Sequence, residues 1–323
     1  MIRVAFAGTF AHRLEPRVRA HLDVPCEVIL VEEADAPALG GVDVLVSLAF
    51  TRAMGAAAPR LRLVQVPGAG LDRIERAALG ARTSLANAYG HETGIAEYIL
   101  GAMLALTRDF ARLDAALRRG TWDSQWAVEA TPPAPWPELA GKTLGILGYG
   151  HIGRSLARRA RAFDMTVLAV RRHATAGDGD AVVRGPDGLA DTLARADYLA
   201  ITLPLTLETR GLLGRPELAA MKRTAVLVNV ARAEIIDEDA LYAALAARTI
   251  AAAALDVWYR YPSQPGPTPP ARRPFHELPN VLMTPHASGW TEGMLEARAR
   301  LIAENIRRTA RGEPPLNSIA TGD

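Results

Sequence analysis

Residues 139–171 constrain the fold more than any other stretch. Gly141-Lys142-Thr143 leads into Leu144-Gly145-Ile146-Leu147, an apolar run short enough for a buried parallel strand, and Gly148-Tyr149-Gly150-His151-Ile152-Gly153 follows at once. Residues from Ser155 to Phe163 then read as a helix with Leu156, Ala157, Ala160 and Phe163 on one face, and Met165 to Val170 as the next strand. Glycines at this spacing mean little alone. Placed between a strand and a helix that feeds a second strand, they read as a dinucleotide-binding turn. Gly148 makes the tight turn, Gly150 lets a pyrophosphate approach the backbone, and Gly153 lets helix pack on strand. The phosphates would sit at His151 and Ile152, where free N–H groups at the helix N-terminus attract anions.

A chain of 323 residues is long for one core, so two domains are expected. The apolar content of 49% with 6% aromatics suits an alanine-rich α/β protein. Cys26 is the only cysteine, which excludes an internal disulfide and a Cys-based zinc site. No metal site is expected. No signal-peptide core follows the opening strand, and no apolar run approaches the ~20 residues of a membrane span, so the expected location is the cytoplasm. A net charge of +2 gives no argument for nucleic acid. All but two of the 37 basic residues are arginine, so a cluster of arginines has little weight by itself.

Along the chain, Val4–Ala7, Glu27–Val31, Val42–Ser47 and Leu61–Val66 read as short aliphatic strands of a small parallel sheet, with a helix near Pro16 to His21. Val66-Pro67-Gly68-Ala69-Gly70 ends this part. Backbone N–H groups at Ala69 and Gly70 could hold a carboxylate, although an ordinary glycine turn is an equal reading. Thr93 is placed to cap a helix running to Arg119, with Ile95, Ile99, Met103, Leu106, Phe110, Leu113 and Leu117 along one face. Thr121 to Pro137, rich in tryptophan and proline, reads as an irregular connector. Strands near 144, 166, 199, 226 and 253 then amount to one doubly wound sheet. Its carboxyl ends should gather Pro204, Arg232 and Asp256 on one side. Val281-Leu282-Met283 reads as a last strand, and residues from about Glu292 to Arg311 as a helix stopped at Gly312.

Gly68 to Asp72, Ile95-Ala96-Glu97, Gly141 to Gly153, Leu203 to Gly211, Asn229 to Asp237, Leu255 to Trp258, Pro279 to His286 and Glu304-Asn305 through Pro315 together resemble the D-2-hydroxyacid dehydrogenase family. The resemblance covers nearly the whole chain. It implies an α/β fold in which a doubly wound Rossmann cofactor domain, residues 93–289, is inserted in a smaller flavodoxin-like substrate domain, residues 1–92 and 290–323, with chemistry between the two. It also implies hydride transfer between a nicotinamide cofactor and a small 2-oxo or 2-hydroxy acid. Arg232 matches the arginine that binds and polarises the substrate, and His286 the acid/base. Asp256 matches a residue near the nicotinamide carboxamide, with a structural strand-end aspartate as the alternative. The long helix after Thr93 resembles the family's dimer helix, and Trp122, Trp126 and Trp136 beside it favour a homodimer.

Two departures sharpen these expectations. The acid that would hydrogen-bond a ribose 2′-hydroxyl is expected about 20 residues past Gly148. Strand two instead ends Ala169-Val170-Arg171-Arg172-His173, so Arg171 and Arg172 are placed to pair with a 2′-phosphate. NADP is therefore expected over NAD. Second, Tyr261 in Asp256-Val257-Trp258-Tyr259-Arg260-Tyr261-Pro262 stands where the family carries the glutamate that pairs with the histidine. Without that carboxylate, and with Arg232 in the same site, His286 should be charged only at lower pH. Two other functions stay open: a dehydrogenase of another small anion such as formate, and a cofactor-binding regulator with impaired turnover.

Overall fold

The computed structural model describes residues 1–33, 36–128, 131, 134–174 and 179–320. In chain order the first elements are β1 (Ile2–Ala7), α1 (Thr9–Ala20), β2 (Cys26–Val31), β3 (Val44–Ser47), α2 (Arg52–Ala57), β4 (Leu63–Gln65) and β5 (Ser84–Ala86). Then come α3 (Glu92–Arg108), α4 (Phe110–Arg118), β6 (Thr143–Leu147), α5 (His151–Arg161), β7 (Thr166–Val170), β8 (Val182–Arg184), α6 (Leu189–Arg195) and β9 (Tyr198–Ile201). The chain continues through α7 (Arg215–Ala219), β10 (Val226–Asn229), α8 (Glu238–Ala246), β11 (Ala252–Leu255), β12 (Val281–Met283), α9 (Glu292–Arg311) and β13 (Ser318–Ile319).

These elements form two compact units, residues 1–91 with 290–323, and residues 92–289. The first unit holds a six-stranded sheet of order β13-β5-β4-β3-β1-β2. All its pairings are parallel except β13 on β5, which closes the edge antiparallel. α9 packs against α1, burying Ala299, Ile302, Ala303 and Ile306 against Val4, Phe6, Leu14 and Val18. The fully buried Asn305 donates to Gln65 Oε1 (2.6 Å) and to Leu316 O (3.1 Å), and its own oxygen accepts from Leu316 N–H (2.7 Å). One side chain therefore ties α9, β4 and the segment entering β13 together.

The second unit holds a seven-stranded, wholly parallel sheet of order β12-β11-β10-β9-β6-β7-β8. Alternate residues on each central strand face opposite cores, as the two-residue period of a strand requires. Leu144, Ile146, Val226 and Val228 pack with Ile99, Met103, Leu156 and Ala160 of α3 and α5. Leu147, Leu199, Ile201 and Leu227 pack with Leu193, Leu218, Leu241 and Leu245 of α6, α7 and α8. Burial on both faces explains why these strands read as short continuous apolar runs. From β6 the chain runs outward through β7 to β8, then crosses to β9 on the other side of β6 and runs outward to β12. That reversal beside β6 opens a crevice at the strands' carboxyl ends.

The helix expected from Thr93 to Arg119 is two helices. α3 starts a residue earlier, at Glu92, and the chain breaks at Asp109, whose φ of 52° is left-handed. Arg112 pairs with both Asp109 and Asp123 across the break. The apolar stripe divides accordingly: Ile95, Ile99 and Met103 are buried, whereas Phe110 and Leu117 on α4 are exposed. The connector from Thr121 to Pro137 includes residues 129–130 and 132–133, which lie outside the described residues. Among the described residues no helix is long and apolar enough to cross a membrane.

Candidate active site

The glycine turn after β6 is built as tightly as its spacing demands. Gly148 has a φ of +104°, and a Cβ there would lie 2.5 Å from Leu203 N, so β6 and the chain leaving β9 nearly touch. Thr202 fixes this approach by donating its backbone N–H to Leu147 O (2.8 Å) and its hydroxyl to Gly148 O (2.7 Å). A Cβ on Gly153 would meet Gly148 O at 2.5 Å, which is what allows the helix to seat against the strand end. A Cβ on Gly150 would meet nothing within 4 Å.

α5 begins at His151, four residues before the Ser155 expected from sequence, because Gly150 takes the N-cap position. His151, Ile152 and Gly153 therefore form its first turn. Gly150 brings no capping side chain, and N–H groups at a helix start attract anions. At the other end the helix stops at Arg161, so Phe163 lies outside it and is exposed rather than on the buried face. A helix start beside an open glycine is a cradle that fits a dinucleotide pyrophosphate.

The remaining candidates in this unit lie after the carboxyl ends of neighbouring parallel strands, and so along one edge of the sheet. Arg171 and Arg172 follow β7, Pro204 follows β9, Arg232 follows β10, Asp256 follows β11 and His286 follows β12. Arg171 N–H donates to Arg184 O (3.0 Å), tying β7 to the end of β8. The exposed Arg172 pairs with Glu208 at 3.6 Å. Glu208 sits on the loop after β9, where no local pattern marks it. Thr209 Oγ1 donates to Pro204 O (2.8 Å) and shapes that loop.

Arg232 is held by the strand that precedes it. The buried Asn229 donates to Arg232 O (3.0 Å) and accepts from Ala231 N–H (3.0 Å), and the guanidinium donates to Ala231 O (2.7 Å). The half-buried backbone is thus fixed from both sides.

Asp256 is wholly buried, and both its oxygens serve the loop that carries His286. Oδ1 accepts from Thr284 Oγ1 (2.6 Å) and Ala287 N–H (2.8 Å), and Oδ2 accepts from Ser288 N–H (2.9 Å). These hydrogen bonds make Asp256 a support of that loop. Because Thr284 donates to the carboxylate, its oxygen accepts from Tyr98 on α3 (2.6 Å). Trp258 Nε1–H donates to Thr284 O (2.8 Å). Neither Tyr98 nor Trp258 is marked by periodicity as anything but apolar packing. Between these anchors His286 adopts a φ of 57°, a left-handed conformation that few residues other than glycine take.

The Nδ1 of His286 lies 2.8 Å from Tyr261 Oη, so the tyrosine occupies the partner position left by the absent glutamate. The same oxygen accepts the Trp258 backbone N–H at 3.4 Å. His286 keeps a solvent-facing edge, yet the protein packed around it lowers its pKa below the usual histidine value. Desolvation is the main cause, Asp256 opposes it, and Arg232 adds to it. Burial likewise pushes the Tyr261 phenol up, with the Trp258 N–H and Arg232 acting against that shift.

In the other unit, Ala69 and Gly70 follow β4 at the carboxyl edge of the six-stranded sheet. Asn87 Nδ2 donates to Ala69 O (3.0 Å), and Ala88 N–H donates to Gly68 O (3.0 Å), so the loop after β5 braces the loop after β4. Among the described residues no cluster of His, Cys, Asp or Glu could hold a metal ion.

A doubly wound parallel sheet with a glycine turn at its reversal point defines a dinucleotide-binding protein. The family model described as "D-isomer specific 2-hydroxyacid dehydrogenase, NAD binding domain" matches residues 100–288, and the chain belongs to that family. It is 35% identical over 265 residues to the D-3-phosphoglycerate dehydrogenase of Methanocaldococcus jannaschii, covering 81% of this chain and 48% of that one. The chain thus spans about half the length of that relative. It is 37% identical over 268 residues to the glyoxylate reductase of Aeropyrum pernix, covering 81% and 77% of the two chains. Among solved structures it is similar to the NADPH-dependent glyoxylate/hydroxypyruvate reductase of Sinorhizobium meliloti in complex with NADP and malonate. That likeness has a TM-score of 0.79, 27% identity and coverage of 99% and 97%.

Proposed function

We propose that this protein is a reductase and dehydrogenase of a small 2-oxo/2-hydroxy acid, using NADP(H) in preference to NAD(H). The observation that carries the reading is the placement, along one sheet edge, of a backbone-anchored arginine and a histidine whose ring is hydrogen-bonded. Arg232 would hold the substrate carboxylate and polarise the neighbouring carbonyl. His286 would give the proton to the nascent alkoxide in reduction and take the hydroxyl proton in oxidation. Ala69 and Gly70 are assigned to substrate binding through their backbone N–H groups, and residues 1–92 and 290–323 as the substrate domain. Residues 93–289 are assigned as the cofactor domain.

Gly148, Gly150, His151, Ile152 and Gly153 would hold the pyrophosphate, and Pro204 would border the ring-bearing half of the cofactor. Bound there, the cofactor supplies or accepts the hydride. Arg171 and Arg172 would take the 2′-phosphate, which with its greater charge would draw Arg172 away from Glu208. The S. meliloti reductase, which resembles this chain over nearly its full length, is NADPH-dependent, and that supports the preference. The Tyr261–His286 hydrogen bond supports an acid/base role over a regulator that has lost turnover.

The exposed Phe110, Leu117, Trp122 and Trp126 form an apolar run on α4 and just beyond it, with the two tryptophans 61% and 75% exposed. That run supports a homodimer through this region. The functional test is a screen of 2-oxo acids with NADPH and with NADH. Glyoxylate and hydroxypyruvate should be reduced, faster with NADPH, and Arg232→Ala should lower kcat/KM by about a thousandfold, the loss typical of a transition-state donor. Failure of every 2-oxo acid, or equal use of the acid by Arg232→Ala, would overturn the assignment.

A further inference from the structure

Resting on the function proposed above, we propose that Tyr261 is the proton reserve of the site: it donates to His286 Nδ1, fixes the imidazole with its proton on Nε2, and resupplies the ring as Nε2 protonates the product. The directions of the hydrogen bonds carry this. Trp258 N–H can only donate, so Tyr261 Oη accepts there, at 3.4 Å. With one acceptor site of Oη taken, we assign the phenol's single proton to its other protein neighbour, Nδ1 at 2.8 Å. A neutral imidazole that accepts at Nδ1 carries its hydrogen on Nε2. The chain of donors thus runs in one sense: Trp258 N–H to Oη, Oη–H to Nδ1, and Nε2–H to the substrate oxygen.

A glutamate in this position would accept from Nδ1–H and favour a doubly protonated ring. A tyrosine cannot do that without turning its own proton away from both neighbours. The other charged groups that bear on the pair are Arg232, Asp256 and Glu234. Only Arg232 favours the phenolate, and desolvation outweighs Asp256 in keeping His286 neutral. A neutral imidazole is a far weaker acid than an imidazolium. Coupled to the phenol, it need not act alone.

In the step, the Nε2–H bond breaks as the substrate O–H bond forms, and the Oη–H bond breaks as Nδ1–H forms. The result is an alcohol and a phenolate, the latter facing the Trp258 N–H and Arg232. The transfer runs toward the stronger base, because an aliphatic alkoxide is far more basic than an ordinary phenolate, a difference that burial of Tyr261 reduces. After product leaves, one proton from solvent enters at Nε2 and the Nδ1 proton returns to Oη. Tyr261 is half exposed, so solvent can exchange with it directly. It is a positioning residue, acting on substrate only through His286.

The test combines a spectroscopic and a kinetic reading. In histidine-labelled protein, 15N NMR should show His286, assigned by its loss in His286→Asn, as the Nε2–H tautomer above its titration midpoint. Tyr261→Phe should lose that preference, and Tyr261→Glu should raise the midpoint. Reduction by the wild type should stay level for two pH units above the midpoint. In Tyr261→Phe it should fall about tenfold per unit there, as the charged imidazole disappears. A wild-type Nδ1–H tautomer, or identical pH profiles in wild type and Tyr261→Phe, would overturn the proposal. An Nε2–H ring in a protein that reduces no 2-oxo acid would instead overturn the functional assignment and leave the Tyr261 bond standing.

Discussion

Replacing Asp256 by asparagine separates the two roles a carboxylate at this place could have. The wild-type oxygens accept three hydrogen bonds from Thr284, Ala287 and Ser288. An amide has one acceptor oxygen. Set where Oδ1 stood, it keeps Thr284 and Ala287 and turns its NH2 toward the Ser288 N–H. One charge-assisted bond is lost, about 1.5–3 kcal/mol, and a buried N–H is left unpaired, about 1–3 kcal/mol, terms that overlap to give about 3 kcal/mol. In a unit the size of residues 92–289, each kcal/mol moves Tm by about 2–4 °C. Its thermal transition should therefore fall by about 6–12 °C. The loop that holds His286 at positive φ loses an anchor, so kcat should fall about tenfold or more, a loss of at least about 1.4 kcal/mol of transition-state stabilisation. Cofactor affinity should stay within about twofold, because no atom of the glycine turn is disturbed. Calorimetry, steady-state kinetics and NADPH titration on one preparation make the comparison. An unchanged Tm with a tenfold weaker NADPH Kd would show that Asp256 serves the cofactor and not the loop.

Three further outcomes follow from the same geometry. Gly153→Ala forces a methyl to within 2.5 Å of Gly148 O, so α5 must shift off the strand end; NADPH binding should be lost in titration, with Tm lowered. Glu208→Gln removes an exposed competitor for Arg172, so NADPH should bind up to about fivefold tighter with NADH unchanged. A double change of Trp122 and Trp126 to serine should convert a dimer to a monomer in light scattering, and a wild type that is already monomeric at micromolar concentration would remove the basis for that expectation.

Periodicity and turn chemistry made the seven-stranded sheet readable because each of its central strands is buried on both faces and bounded by glycine, proline or polar residues. Three short strands, β5, β8 and β13, were not readable. β8 is three residues, largely exposed, and β5 and β13 pair only because the chain returns after a long excursion. Asp109 was invisible as a helix break because a left-handed aspartate leaves the apolar spacing intact. Arg232, His286 and Tyr261 could be singled out in the sequence by their place in a motif. Their supports could not: Tyr98, Thr284 and Trp258 act through single hydrogen bonds between segments far apart in the chain, which no local pattern encodes.

The buried Asn305 makes its hydrogen bond to Gln65 across 240 residues of chain. During synthesis β1 to β5 therefore emerge well before the helix and strand that cover them, while residues 92–289, an uninterrupted segment, can close their own sheet first. Until α9 arrives, the face of α1 and β1 that it covers, with Phe6 and Leu14 at its centre, stays wet and adhesive. A chain truncated after residue 289 should be protease-resistant over the inserted unit and cleaved within the first ninety residues. The order in which the two halves become functional is thus the reverse of the order in which their sequences begin.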